Sequence, residues 1–127
     1  MIDKEQEIFD AVAKRLREKI PNIYVVGTEI ISTPPRFPSV SFVQTNNTVD
    51  SVYSTFNSLE NVVKEDYKAE VFSNLTKGKE TQTKEITNVI SDVMCEFGYI
   101  RTFCEPIPNA DATIGRRVSR YRKNNVI

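Results

Sequence analysis

A stripe of apolar residues at helical spacing, between residues 79 and 97, is the feature that most constrains the fold of this chain. The apolar side chains recur at i, i+3, i+4, i+7, i+8 and i+11, which lines one face of an α-helix. Gly98 follows the stripe, and glycine readily adopts the left-handed conformation that ends a helix. The pattern predicts an amphipathic helix. The stripe consists of Ile86, Val89, Ile90, Val93, Met94 and Phe97.

An earlier stretch, residues 3–19, predicts a second amphipathic helix. Its apolar residues lie three, four or eight positions apart and therefore share one face. Asp3 is suited to cap the start of this helix, and Pro21 is expected to end it. The apolar residues are Ile8, Phe9, Val12, Leu16 and Ile20.

Five further segments have the composition or the alternation of β-strands. The prolines within residues 34–38 exclude a helix there, because proline lacks an amide donor and biases its predecessor toward extended structure. That run leads the chain, stiffly extended, into the second strand. The predicted strands cover residues 22–31 (broken near Gly27), 39–45, 61–74, 99–105 and 112–123.

The second predicted strand alternates between apolar and polar side chains. Val40 and Phe42 share the face that we expect to be buried. Residues 61–74 resume the alternation, with Tyr67 and Ala69 on one face, and are predicted to pair with this strand. The opposite face of the second strand is expected to be solvated. It carries Ser39, Ser41 and Thr45.

The order of the predicted elements, α-β-β-β-α-β-β, indicates an α+β fold. Strands interrupted by two helices favour a mainly antiparallel sheet with both amphipathic helices packed on one face. A single domain, residues 1–127, is predicted, because one core commonly serves about 100–150 residues. No apolar run approaches the ~18 residues of a membrane span, and the first residues lack the pattern of a signal peptide. We expect synthesis in the cytosol and no membrane contact.

The residue types needed for catalysis or metal binding do not come together in this sequence. The chain contains no histidine, which removes the commonest general base. Cys95 and Cys104 lack metal-type spacing and are predicted to be small buried hydrophobes. Glu65 and Asp66 are neighbours in a strand, so they should point to opposite faces, and both are expected to be solvated. We predict that the protein is not an enzyme and holds no cofactor or metal.

Basic residues crowd the last predicted strand, although the whole chain is balanced with 17 basic and 17 acidic residues. No acid follows Asp111. Three interpretations are open: a solvated face covered by arginine stems, a subunit interface in which arginines pair with acids of a neighbouring chain, or contact with nucleic-acid phosphates. The basic residues are Arg116, Arg117, Arg120, Arg122 and Lys123.

A polar excursion covers residues 46–60, between the second and third predicted strands. It is rich in Ser, Thr and Asn, and we interpret it as an extended hairpin or loop. Long connections of this kind in compact domains are often functional. A partner-binding role is one interpretation and a plain surface loop is the other. The candidate partner-binding residues are Asn46, Asn47, Tyr53 and Phe56.

Several short segments, taken in order, resemble the tail terminator family of tailed bacteriophages, also known as tail completion or minor head–tail joining proteins. Each segment alone is weakly specific, but the ordered set spans nearly the whole chain. Gly115 departs from the family pattern, in which an aromatic residue is common at this position. The segments are PPRFPSV at 34–40, AEVFSN at 69–74, GK at 78–79, DVMCEFGYIR at 92–101, PN at 108–109, DATI at 111–114 and RVSRY at 117–121.

The resemblance implies an α+β subunit that assembles into a ring, typically of six copies, on the last ring of a completed tail tube. Such a ring stops tube polymerisation, offers a surface to the head connector and passes DNA through its lumen without reading sequence. The implied location is the head-proximal end of the tail in the virion, after assembly in the host cytoplasm. Its partners would be further copies of the chain, the tube protein and the connector or neck protein.

Under this resemblance, we hypothesise that Arg116, Arg117, Arg120 and Arg122 contribute to the subunit interface or to the lumen. A heterologous interface that closes into a ring must be complementary around the circle. A neck or head-completion adaptor is the alternative within the same class. A small nucleic-acid-binding domain without sequence specificity is the alternative from another class.

Overall fold

Both helices of the computed structural model lie on the same side of a five-stranded sheet. The structure describes residues 5–28, 34–49, 62–108 and 113–126. The described elements follow the predicted order α-β-β-β-α-β-β, and the predicted α+β class is confirmed. The elements are α1 Glu5–Lys19, β1 Tyr24–Val26, β2 Ser39–Val49, β3 Val62–Ser73, α2 Lys79–Glu96, β4 Ile100–Pro106 and β5 Gly115–Val126.

The described strands are ordered β1-β2-β3-β5-β4 across the sheet, so β1 and β4 form its two edges. β1 runs parallel to β2. The β2–β3, β3–β5 and β4–β5 pairs are antiparallel, so the sheet is mixed but mostly antiparallel. The predicted pairing of the second and third strands is confirmed. β3 and β5 are each 12 residues long and pair along their whole length at the centre of the sheet.

Gly98 ends α2 in a Schellman motif. Its φ is 86°, in the left-handed region. The Gly98 amide donates to the Cys95 carbonyl at 2.9 Å, and the Tyr99 amide donates to the Met94 carbonyl at 2.9 Å. These bonds satisfy carbonyl groups that the end of a helix otherwise leaves without partners. The predicted end of this helix is therefore confirmed.

α1 ends at Lys19, two residues before Pro21, as the sequence predicts. The predicted cap, Asp3, lies outside the described residues. Within the described part of the chain, neither helix combines the length and the apolar character that a membrane-spanning helix requires.

The hydrophobic core lies between the two helices and the side of the sheet that they cover. Phe42 stacks on Tyr67 with ring centroids 5.2 Å apart, and Tyr99 meets Tyr67 edge-on at 5.4 Å. Both arrangements are favoured geometries for aromatic pairs. The apolar stripes predicted for the helices supply the opposite side of this core. The buried helical residues are Ile8, Val12, Leu16, Ile86, Ile90, Val93 and Met94.

The expectation that one face of β2 is solvated is wrong at Ser39 and Ser41, which are both fully buried. The Ser41 hydroxyl donates to the Thr28 carbonyl at 2.7 Å, so the chain that follows β1 lies over this part of β2. Thr45, further along the same strand, is exposed as expected. Thr28 lies 13 positions before Ser41, and alternation alone does not reveal such a neighbour.

The expectation that both cysteines are buried is also wrong. Cys95 is exposed on α2 and Cys104 is half-buried in β4, and both are free thiols. Cys95 follows Met94 directly, and one step along an α-helix rotates a side chain by about 100° away from the buried stripe. Cys95 is therefore exposed although its neighbour Met94 is buried.

Candidate functional site

The side of the sheet turned away from the helices, called the open face below, carries a set of alternating charges. The β3–β5 register sets Asp66 opposite Arg122 and Lys68 opposite Arg120. Side chains of both signs therefore lie on neighbouring strands, where cross-strand pairs interact most strongly. We call this set the charge ladder: Asp66, Lys68, Glu70, Arg116, Arg120 and Arg122.

Glu70 is the buried member of the charge ladder, with only 4% of its surface exposed. Arg116 donates to one of its oxygens, Oε2, through Nε at 2.9 Å and through Nη2 at 2.5 Å. Lys68 Nζ lies 3.0 Å from the other oxygen, Oε1. The guanidinium of Arg116 also lies over the Phe72 ring, 5.8 Å from its centroid. Two cations therefore compensate the burial of this carboxylate, which would otherwise be strongly unfavourable.

Asp66 and Arg122 form the second ion pair of the charge ladder. Arg122 Nε lies 2.8 Å from Asp66 Oδ1, and the Asn46 side-chain amide donates to Oδ2 at 3.2 Å. The hydrogen bond from Arg122 lowers the pKa of Asp66, and the Asn46 bond acts in the same direction. The same pairing raises the pKa of Arg122. Asn46, predicted as a partner-binding residue, thus supports an ion pair of its own chain.

Arg117 lies on the opposite side of β5, toward the helices. Its Nη2 lies 3.9 Å from Glu80 Oε2 on α2, and its side chain is 14% exposed. The four arginines predicted for the site are therefore divided between two sides of one strand. Arg116, Arg120 and Arg122 face the open side, whereas Arg117 forms an ion pair with Glu80 of α2.

Arg120 differs from its neighbours because no acidic side chain of the described residues forms an ion pair with it. Its side chain is exposed and stands opposite Lys68 on one neighbouring strand and Phe103 on the other. It helps to line a small cavity of about 80 Å³ together with Thr102 and Arg122. Arg120 is thus the exposed guanidinium of the charge ladder, and its positive charge contributes to the lowered pKa of Asp66, which lines the same cavity.

The predicted polar excursion begins as regular strand, because β2 continues to Val49 and β3 resumes at Val62. Asn46 and Asn47 belong to β2, where Asn47 pairs with Glu65 in the register. Tyr53 and Phe56 lie outside the described residues. The partner-binding role of these four residues stays a prediction.

Glu65 is fully buried, so the expectation that it is solvated is wrong. It lies on the same side of β3 as Tyr67, facing the helices, whereas Asp66 faces the open side. The two carboxylates therefore point to opposite faces, as predicted. The Tyr99 hydroxyl donates to Glu65 Oε2. Lys123, opposite Glu65 on β5, lies 5.6 Å from the centroid of the Tyr99 ring.

The burial of Glu65 could have been found from its position in the sequence. Glu65 stands two residues before Tyr67, and alternation sets both on one side of the strand. The other oxygen of Glu65, Oε1, has no hydrogen-bond partner among the described residues. Glu65 is therefore a buried carboxylate that receives one hydrogen bond, from the Tyr99 hydroxyl, among the described residues.

Metal-binding chemistry is not evident in the described residues, which contain no group of three or more candidate ligand side chains. No protein-family profile and no curated protein sequence matches this chain.

Proposed function

We propose that the chain is a structural protein of a tailed-phage virion. In this proposal it forms a ring on the head-proximal end of the tail tube, stops tube polymerisation and provides the docking surface for the head connector. Its partners are further copies of itself, the tube protein and the connector. No catalytic step and no cofactor belongs to this function, and DNA passes through the ring without sequence-specific contact.

The observation that best supports the proposal is the distribution of the segments that resemble tail terminators. Residues 34–40 lead into β2, residues 69–74 end β3, and residues 92–101 join α2 to β4. Residues 117–121 form the middle of β5. The resemblance thus involves the connection from α2 to β4 and the centre of the sheet, with the segments in chain order.

The two edges of the sheet also suit a subunit of a ring. β1 and β4 differ in length, in direction relative to their neighbours and in the side chains around them. Two dissimilar edges allow a head-to-tail contact, and such contacts generate rings when the rotation between copies closes.

Deleting the gene from the phage or prophage genome that carries it tests the proposed function. The expected result is overlong tails of variable length, seen by negative-stain electron microscopy, with normal length restored by the wild-type gene on a plasmid. Tails of normal length that fail to join heads would instead identify a neck adaptor. Normal virions in the deletion strain would remove both functions.

Nucleic-acid binding is the competing function from another class, and the charge ladder argues against it. Arg116 and Arg122 are paired with Glu70 and Asp66, so fewer cations are left to release counterions from phosphates. We expect weak DNA binding by the purified protein. Tight binding whose affinity falls steeply with salt, with a logarithmic slope of about −4 or steeper, would favour the nucleic-acid function.

A further inference from the structure

The free thiol of Cys104 lies on the side of β4 that faces the helices, beside an arginine of β5. The β4–β5 register pairs Cys104 with Ser119, so Arg117 is its diagonal neighbour on the same side of the sheet. Arg117 Nη1 donates to Cys104 Sγ at 4.0 Å. Cys104 is half-buried, and β4 is an edge strand of the sheet. Small solutes can therefore reach the sulfur from the edge.

The guanidinium of Arg117 has few partners for a cation that is so deeply buried. Its side chain is 14% exposed, and Glu80, with which it forms an ion pair, is 3.9 Å away and largely exposed. Nε of Arg117 is buried and has no hydrogen-bond partner among the described residues. Burial of a charge is unfavourable unless the charge is paired and hydrogen-bonded. A further acceptor atom next to Arg117 would therefore be stabilised.

Ser119 is a second polar group without a partner beside the thiol. The residue is fully buried, and its Oγ has no hydrogen-bond partner among the described residues. Because Ser119 is the direct cross-strand partner of Cys104, both side chains stand on the same side of the sheet. The Tyr121 hydroxyl lies close to both: burial raises its pKa, Ser119 lowers it and Cys104 raises it. That hydroxyl is itself paired with Ser91 at 2.8 Å, which leaves Ser119 unpaired.

Cys95 offers a comparison within the same chain. It is exposed, whereas Cys104 is half-buried. It lies in the last turn of α2, where the helix dipole presents negative charge, and Glu96 follows it directly. Reactive cysteines lie at partly exposed positions beside positive charge. Exposure therefore favours reaction at Cys95, and the electrostatic surroundings favour reaction at Cys104.

We propose that Cys104 is an oxidation site, at which hydrogen peroxide converts the thiol to a sulfenic acid held by Arg117 and Ser119. The sulfur attacks one peroxide oxygen, an S–O bond forms and the O–O bond breaks. The sulfur loses two electrons, and the second oxygen takes up the thiol proton and leaves as water. The oxygen on the sulfur then accepts hydrogen bonds from Arg117 and from the Ser119 hydroxyl. The inference does not depend on the proposed function, because it concerns one thiol of the isolated chain.

Peroxide treatment of the purified protein, followed by trapping of sulfenic acid with dimedone, tests the inference. Trypsin cleavage after Arg101 places Cys95 and Cys104 in separate peptides, so mass spectrometry measures each thiol by itself. We expect about tenfold more dimedone at Cys104 than at Cys95, which is the effect of one hydrogen bond from a charged donor. Equal labelling, or more at Cys95, would show that exposure controls oxidation and would overturn the inference.

Ser119→Ala removes one of the two donors with a small change of volume. It should lower the dimedone yield at Cys104 by about threefold to tenfold, the usual effect of one hydrogen bond. Ser39→Ala is the matched control, because Ser39 is also fully buried with an unpartnered Oγ but lies on β2. The control should leave the yield unchanged. An unchanged yield in Ser119→Ala, or an equal fall in Ser39→Ala, would contradict the proposed site.

Arg117→Met removes the cation and keeps an apolar stem of similar length. It should lower the dimedone yield at Cys104 by about tenfold or more, because hydrogen bonds from charged donors are the stronger ones. Arg120→Met, on the opposite side of the same strand, is the matched control and should keep the wild-type yield. Melting temperatures show whether each variant folds. If Arg117→Met does not fold, Ser119→Ala alone determines the outcome.

Alkylation by N-ethylmaleimide separates access to the sulfur from stabilisation of the oxygen. Ser119→Ala should leave the alkylation rate of Cys104 unchanged, because Ser119 holds the oxygen of the product and does not block the path to the sulfur. An alkylation rate that falls as much as the dimedone yield would mean that altered access explains both, and the inference would fail.

Discussion

Arg116 and Glu70 lie on neighbouring strands of the open face, with Arg116 Nε 2.9 Å from Glu70 Oε2. They are separated by 46 positions in the sequence. The sequence leaves open whether the arginines of β5 pair within the chain or with a neighbouring subunit. For Arg116 and Arg122 the partner is an acid of the same chain, on β3. Of the three open-face arginines of β5, Arg120 is therefore the one that forms no ion pair with an acidic side chain of the described residues.

Replacing Glu70 by alanine is expected to destabilise the fold by about 3 kcal/mol. The substitution leaves Arg116 and Lys68 on a largely buried part of the sheet without their carboxylate, and breaking a buried pair on one side costs about 3–5 kcal/mol. Urea unfolding of the purified variant measures the change. Glu105→Ala, at an exposed position of β4, serves as the control and should change stability by less than about 0.5 kcal/mol. A loss below about 1 kcal/mol for Glu70→Ala would show that the network contributes little.

Replacing Tyr99 by phenylalanine is expected to cost about 1–3 kcal/mol, because it removes the hydroxyl that donates to the buried Glu65 carboxylate. Replacing Glu65 by methionine in the same chain should recover most of that loss, since the polar group that needed the donor is then absent. A double-mutant cycle, measured by urea unfolding, gives the coupling between the two residues. Additive effects of the two substitutions would contradict a direct interaction.

The two helices, the C-terminal end of each and the order of helices and strands along the chain could be predicted, because local rules decide them. The spacing of Ile86, Ile90 and Val93 fixes the buried side of α2, and Gly98 ends that helix through its own backbone freedom. Strand alternation likewise identified Tyr67 and Ala69 as core residues. In each of these cases the physical cause lies within about one turn of a helix or a few residues of a strand.

The candidate site could not be predicted to the same extent, because distant partners decide it. Arg122 meets Asp66 from 56 positions away, and the pair becomes visible only when the β3–β5 register is known. The hydrogen-bond donor to Glu65 is Tyr99, which lies 34 positions further along the chain. Ser41 is covered by the segment at Thr28, which the strand pattern does not reveal. Periodicity identifies which side of an element a residue occupies, but not what covers that side.

The ion pair between Asp66 and Arg122 is expected to make folding stability fall in acid. The pKa of Asp66 is lowered in the folded state, chiefly by the hydrogen bond from Arg122, from an ordinary value of 3.8. The stabilisation is therefore complete above that ordinary value and is lost as the pH falls through the lowered folded-state pKa. Thermal unfolding between neutral pH and strong acid, compared for wild type and Asp66→Asn, should show a shallower decline in the variant.

Arg122→Gln provides the second arm of the pH experiment. The substitution should reduce the loss of folding stability over the same pH range. Combining it with Asp66→Asn should change the stability little further, since the two residues act through one interaction. High salt should weaken the difference, because Arg122 is largely exposed and screening acts on such pairs. If the melting temperature falls equally steeply with pH in wild type and both variants, the pair does not contribute to the acid dependence.

Replacing Gly98 by alanine is expected to destabilise the protein by about 1–2 kcal/mol. Gly98 has φ of 86°, and the left-handed conformation costs a residue with a Cβ about 1–2 kcal/mol. An added Cβ would also lie 3.3 Å from Lys123 Nζ, whose bond to the Phe97 carbonyl closes the same turn. Gly27→Ala is the matched control, because its added Cβ would only touch the Phe9 ring at 3.4 Å. Urea unfolding of both variants measures the difference. A Gly98→Ala protein as stable as Gly27→Ala would show that the Schellman motif tolerates a side chain at this position.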